Sequence, residues 1–175
     1  SAASDVYKRQ VMQDVSELKK AYAELENMVI YDQLTGVYSM YSFMEHCKQY
    51  DEYNGSVAVV VCDINHLSDI NIQYGQKAGN QALINVAGVL KKILMDRAYI
   101  ARINEGDFVA VMKNVTDAEA DKTFEQIKRT VEKECNNGKL GVTIEYGIAM
   151  RKASNRWIMD IVHEAVNDMR DRKGR

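Results

Sequence analysis

Tyr99-Ile100-Ala101-Arg102-Ile103-Asn104-Glu105-Gly106-Asp107-Phe108-Val109-Ala110-Val111-Met112 is the stretch whose reading decides the fold. Both halves are apolar, with the β-branched and aromatic residues that favour strands. The centre holds Asn, Gly and Asp, the types that tolerate positive φ. The spacing predicts strands over Tyr99–Ile103 and Phe108–Met112, joined by a turn at Asn104-Glu105-Gly106-Asp107. Further back, Val57 to Cys62 is an unbroken apolar run rich in Val, the pattern of a central strand buried on both faces. A hairpin pairing beside that strand brings its turn to the strand's C-terminal end, where Asp63 would meet Glu105 and Asp107. Converging carboxylates suit Mg²⁺, which takes one or two of them and completes its shell with substrate phosphates. Solvated turn carboxylates are the commoner explanation of such acids, and the spacing alone leaves both readings open.

Outward from this core the pattern is helical. Met40, Phe43, Cys47 and Tyr50 share one face of a helix over Ser39–Tyr50. Two helical stretches follow the central strand, His66 to about Tyr74 and Lys77 to Leu94, the second with Leu83, Val86, Leu90 and Ile93 at helical spacing. Thr116 and Glu119 form a capping box for a helix that turns Phe124, Ile127 and Val131 inward and stops at Asn136-Asn137-Gly138. Val142–Met150 reads as a strand, and Ile158, Ile161, Val162, Ala165 and Met169 mark a final amphipathic helix. After two leading helices the order is β-α-α-β-β-α-β-α, an α+β sheet layered by helices, of the ferredoxin-like kind.

The leading helix has its own signature. Val11, Val15, Leu18, Tyr22, Leu25 and Val29 follow steps of 4, 3, 4, 3 and 4, an a/d heptad seam. This predicts a coiled coil pairing two copies; packing of the helix on its own domain is the alternative. The expected organisation is 1–10 as an adapter-derived tail (SAASDVYKRQ), 11–31 as a signalling helix and 32–175 as the folded domain. The chain does not begin with Met and is read as part of a longer protein.

Composition narrows the function classes. Lys and Arg number 23 against 25 Asp and Glu, a net charge of −2, which opposes general nucleic-acid binding. The Val57–Cys62 run is far short of the ~20 residues of a membrane span. The 3 cysteines, Cys47, Cys62 and Cys135, and the 3 histidines, His46, His66 and His163, lack ligand spacing, so a reducing, cytoplasmic location fits.

Taken whole, the chain from about Met28 to Arg175 resembles a GGDEF domain, the family that includes bacterial diguanylate cyclases. Asp32-Gln33-Leu34-Thr35-Gly36 resembles its opening Asp-x-Leu-Thr-Gly, and Asp63-Ile64-Asn65-His66-Leu67 its Asp-x-Asp-x-Phe. Asn71, Gly75, Gly79 and Leu83 match the spacing of Asn-Asp-x-x-Gly-His-x-x-Gly-Asp-x-x-Leu. Arg102 to Phe108 lies where the family has Arg-x-Gly-Gly-Asp-Glu-Phe. Tyr146-Gly147-Ile148-Ala149 resembles the late strand, and Ala165, Met169 and Lys173 the closing motif. The resemblance implies a nucleotidyl-cyclase-like α/β sandwich, preceded by the coiled-coil helix. It implies Asp63 and Asp107 as catalytic carboxylates, with Asp63, the Ile64 carbonyl and Asp107 holding Mg²⁺. It implies Asn71, Asn80 and Lys173 as nucleotide contacts, and GTP as the substrate of an active member.

Departures from the family pattern qualify the activity. Gly106 stands at the third signature position, so one carboxylate is missing, and Glu105 replaces a glycine with bulk and negative charge. Asn80 replaces the acid that partners Asn71 on guanine, and Ser68 replaces a phosphate-binding Lys. Ser39-Met40 replaces an Asn-Arg pair, and the product-inhibition Arg-x-x-Asp would run from Met95 to Ala98, without either charged member. The expectation is a degenerate, dimerising module of cyclic di-GMP signalling with weak GTP binding, free of membrane segments within this chain though its parent protein allows an anchor. A low-activity diguanylate cyclase, and a spacer that binds no nucleotide, are the alternatives.

Overall fold

The computed structural model describes residues 1–135, 140–152 and 156–174. A long helix α1 (Ala2–Ile30) leads into α2 (Met40–Asp51), β1 (Val57–Ile64), α3 (Leu67–Tyr74) and α4 (Gln76–Leu94). Then come β2 (Tyr99–Arg102), β3 (Asp107–Lys113), α5 (Asp117–Glu134), β4 (Ile144–Arg151) and α6 (Ile158–Lys173). The strands form one antiparallel sheet in the order β2-β3-β1-β4, the ferredoxin-like arrangement.

The side-chain period of a strand is two, and β1 divides its residues accordingly. Ala58, Val60, Cys62 and Ile64 face a layer built from Leu83, Val86 and Leu90 of α4 and Phe124, Ile127 and Val131 of α5. Val57, Val59 and Val61 face Phe43, Cys47 and Tyr50 of α2 and Ile158, Ile161, Ala165 and Met169 of α6. Both layers exclude water, which is why β1 reads as a continuous apolar run. Gly147 allows α6 to seat directly on β4: a Cβ there would stand 2.1 Å from the Ala165 carbonyl oxygen and 2.2 Å from the Met169 nitrogen.

The hairpin differs by one residue from its expectation. Asp107 is not in the turn; it opens β3 and pairs across from Asp63. The Thr116–Glu119 capping box forms as expected, whereas the helix stop at Asn136-Asn137-Gly138 lies outside the described residues. Helix α1 runs unbroken from Ala2, so residues 2–10 continue the seam-bearing helix. It buries no residue, and Val11, Val15, Leu18, Tyr22, Leu25 and Val29 all lie exposed along it. No helix among the described residues is long and apolar enough to cross a membrane.

Candidate functional site

The sheet register assembles the carboxylates. Asp63, near the end of β1, lies opposite Asp107 of β3 on one side and Glu145 of β4 on the other. Directly opposed residues of an antiparallel pair hold their Cβ atoms about 4.5–5.5 Å apart, so like charges there repel. Burial, with Asp63 acting in the same sense, raises the Asp107 carboxyl above its ordinary range, against the opposing pull of Asn104 and Lys173. Asn104 Nδ2 donates to Asp107 Oδ2 at 3.1 Å. The third acid of the row, Glu145, accepts from Lys128 of α5 at 2.9 Å. Sequence reading passed over Glu145, since only the strand register places it beside Asp63.

Asp63 is held from two directions. Lys173, at the last turn of α6, donates to Asp63 Oδ2. The turn closes over the other oxygen: a Cβ on Gly106 would lie 3.0 Å from Asp63 Oδ1 and 3.3 Å from Leu67 Cδ2. The Ile64 amide donates to the Gly106 carbonyl at 3.2 Å and fixes this approach. Glycine at position 106 therefore permits the turn to settle on Asp63.

These residues fit one divalent cation better than two. Asp63 and Asp107 crowd like charges in a way that a shared cation relieves, and Mg²⁺ needs only one or two protein carboxylates. Such an ion must compete with the Lys173 ammonium for Asp63. No group of three or more His, Cys, Asp or Glu side chains among the described residues is disposed to hold a metal.

A clamp behind the turn sets its shape. Arg102 donates from one nitrogen to both oxygens of Asp32, each at 3.3 Å, from another to the Glu105 carbonyl at 2.6 Å, and from Nε to the Asn104 carbonyl at 3.2 Å. Burial alone pushes the Asp32 carboxyl up, but the Thr35 hydroxyl and amide, with the Arg102 charge, hold it below its usual range. Because Asp32 follows α1 by two residues and the Ser39 amide donates to the Ile30 carbonyl at 2.8 Å, the clamp joins the helix junction to the signature turn.

Of the three expected nucleotide contacts, Asn71 lies on α3, Asn80 on α4 and Lys173 on α6. Asn71 Oδ1 is buried and has no hydrogen-bond partner. Gly79 makes its room, for a Cβ there would stand 1.9 Å from that oxygen. Asn80 Oδ1 accepts from Gln76 Nε2 at 3.0 Å. Lys173 joins Asp63, so the expected residues occupy two neighbourhoods: Asp63, Ile64, Asp107 and Lys173 at the strand ends, and Asn71 with Asn80 where α3 packs on α4. A separate cleft of ≈ 780 Å³ opens at the β2 edge, lined by Tyr31, Tyr38, Lys91, Met95, Ala98 and Tyr99 among others. Met95 and Ala98 both line this cleft.

Comparison with known proteins places this geometry in context. The family model described as "Diguanylate cyclase, GGDEF domain" matches residues 29–175. The chain is 32% identical over 128 residues to the uncharacterized protein YhcK of Bacillus subtilis (68% of this chain, 36% of that protein). It is 27% identical over 134 residues to the probable diguanylate cyclase DgcF of Escherichia coli O157:H7 (74% of this chain, 28% of that protein). The chain thus spans between about a quarter and two fifths of these relatives' lengths. The fold matches the coiled coil and GGDEF domain of DgcB from Caulobacter crescentus, solved in complex with c-di-GMP, with a TM-score of 0.86 at 21% identity, over 98% of this chain and 95% of that one.

Proposed function

The chain belongs to the GGDEF domain family, and from that membership we propose that it is a degenerate module of a bacterial cyclic di-GMP signalling protein, impaired as a cyclase, paired through α1, and able to bind a nucleotide weakly. The observation that supports impairment is the pairing of Asp63 with Lys173 beneath a turn whose third residue is Gly106. Catalysis of phosphoryl and nucleotidyl transfer rests almost wholly on positioning and electrostatic stabilisation. A site that lacks one carboxylate and spends another on an internal ammonium is poorly equipped for it.

The residues take the following roles in this reading. Asp63 and Asp107, with the Ile64 carbonyl, hold Mg²⁺ when nucleotide is present. Bound there, Mg²⁺ supplies neutralisation of phosphate charge. Lys173 exchanges its bond to Asp63 for one to a phosphate oxygen. Asn71 and Asn80 meet the base. Glu105 at the exposed tip places negative charge near the phosphate path and weakens capture. The exposed seam of α1 supports pairing, because six apolar side chains in a/d register gain burial only against a second helix.

The test is a product assay for cyclic di-GMP on concentrated protein with GTP and Mg²⁺, beside a GTP titration. Measurable binding with no product over hours is the expected result. Gly106→Glu combined with Glu105→Gly should raise GTP affinity. Brisk turnover by the unaltered chain refutes impairment, and absence of any GTP binding refutes the nucleotide reading.

A further inference from the structure

The cleft of ≈ 780 Å³ at the β2 edge has the size of a small-molecule site, which runs to about 300–1,000 Å³. It lies far from the carboxylate row. Lys113 on its wall pairs with Val57, whereas Asp107 pairs with Asp63, and the stretch of β3 from Asp107 to Lys113 spans about 20 Å. Part of the cleft wall is aromatic. The rings of Tyr31, Tyr38, Tyr99 and His46 form a column with successive centroids 5.1, 4.3 and 4.3 Å apart. Tyr31, at one end of that column, lines the cleft and is 39% exposed.

The same cleft gathers cations. Lys91, Arg97 and Lys113 line it, against one acid, Asp96, among the described residues. Each cation is steered by a neutral partner: Lys91 Nζ donates to the Thr35 carbonyl at 3.0 Å, Arg97 donates to the Ile93 carbonyl at 2.7 Å, and Lys113 Nζ stands 4.4 Å from the centre of the Tyr53 ring. None of the three pairs with a carboxylate among the described residues. Like charges beside a tyrosine wall favour a ligand that joins a flat ring to a negative charge, since the ring displaces water from the tyrosines and the anion relieves the cations. We propose that this cleft binds a planar aromatic anion, its ring against Tyr31 and its charge met by Lys113 and Lys91. The Met95–Ala98 turn supplies surface but no charge from either of its ends. Tyr31 and Tyr38 belong to the α1–α2 junction, whereas Lys91 belongs to α4 and Lys113 to β3, so the occupant bridges the leading helix to the body of the domain.

The probe is flavin mononucleotide, which joins a flat ring to a phosphate and reports stacking by fluorescence quenching. Riboflavin supplies the ring without the charge, and inorganic phosphate the charge without the ring. Titrated into the full chain, flavin mononucleotide should bind saturably and riboflavin about tenfold more weakly, the scale of one charge-assisted hydrogen bond. Phosphate at the same concentration should not compete. Lys113→Glu should weaken flavin mononucleotide about tenfold and leave riboflavin unchanged, while Lys113→Arg should keep both affinities. Tyr31→Ala should weaken both flavins several-fold at unaltered Tm, and Lys173→Ala should change neither. Equal affinity for the two flavins overturns the anion assignment. Binding that survives both Lys113→Glu and Tyr31→Ala, or that is lost in Lys173→Ala, puts the probe elsewhere and overturns the cleft as its site. Failure of flavin mononucleotide to bind at millimolar concentration overturns the proposal outright.

Discussion

Arg102 offers the sharpest test of how the turn is held. Its guanidinium bonds Asp32 and the carbonyls of Asn104 and Glu105, and the two side chains are 17% and 22% exposed. That places the pair between surface ion pairs, at about 0–1 kcal/mol, and fully buried ones, whose rupture costs about 3–5 kcal/mol. Arg102→Met should therefore destabilise by about 2–3 kcal/mol, or roughly 5–10 °C in Tm for a chain of this size. Asp32→Asn keeps an oxygen for the Thr35 hydroxyl and amide, bonded at 2.6 and 2.9 Å, and should cost about 1–2 kcal/mol. The double variant should reveal a coupling of about 1–2 kcal/mol, since each single change leaves the other partner uncompensated.

The pH dependence carries the sign. The folded-state pKa of Asp32 is depressed below its ordinary 3.8. Its stabilisation is therefore complete above that ordinary value and is lost as pH falls through the depressed folded value. Urea denaturation of the four proteins at pH 7, at pH 5 and below pH 4 measures both effects. The coupling should be equal at pH 7 and pH 5 and shrink in the most acid series. A coupling under about 0.5 kcal/mol at pH 7 would mean that the contact is a surface pair of no consequence, and the clamp argument would fail.

Other expectations follow from the same geometry. Asp107→Asn should stabilise the protein at pH 7 but not at pH 3: its raised pKa imposes a penalty that appears as pH rises above the ordinary carboxylate range and persists beyond the folded value; equal urea midpoints for wild type and variant at pH 7 would contradict this. Gly147→Ala should cost more than about 3 kcal/mol or prevent folding, because the new methyl group meets α6 backbone rather than a movable side chain, and a Tm within 2 °C of wild type would refute the close seating of α6. Leu18→Lys with Leu25→Lys should convert a paired chain to a monomer in light scattering without lowering domain stability, since both side chains are exposed on α1; a monomeric wild type at high concentration would remove the pairing reading.

The sequence was most informative where local rules are strong. Thr116 and Glu119 specify a cap within three residues of each other, and the capping box needs no distant partner. The Val57–Cys62 run announced β1 because burial on both faces erases alternation, and the hairpin announced β2 and β3 because pairing within a few residues costs little loop entropy. The site resisted the same treatment. Asp63 and Lys173 are separated by 110 positions, and nothing near either residue specifies that α6 will end over β1; that follows from the apolar face of α6 and from Gly147, which leaves room for the helix on the sheet. Asp107 was visible as an acid but misplaced in the turn, since the register that makes it the first residue of β3 is fixed by pairing along all of β1. Glu145 was missed because it reaches the row only through β4, and is then drawn to Lys128. The exchange at position 106 acquires its full meaning only in three dimensions. Read as a letter, glycine is a position without a carboxylate; in the fold it lets the turn rest on Asp63, so placing an acid there requires Asp63 and Leu67 to yield by a few tenths of an ångström. An acid at position 106 therefore calls for movement of the turn as well as added charge, which is why the double change at positions 105 and 106 is a more searching test than an acid placed at Gly106 alone.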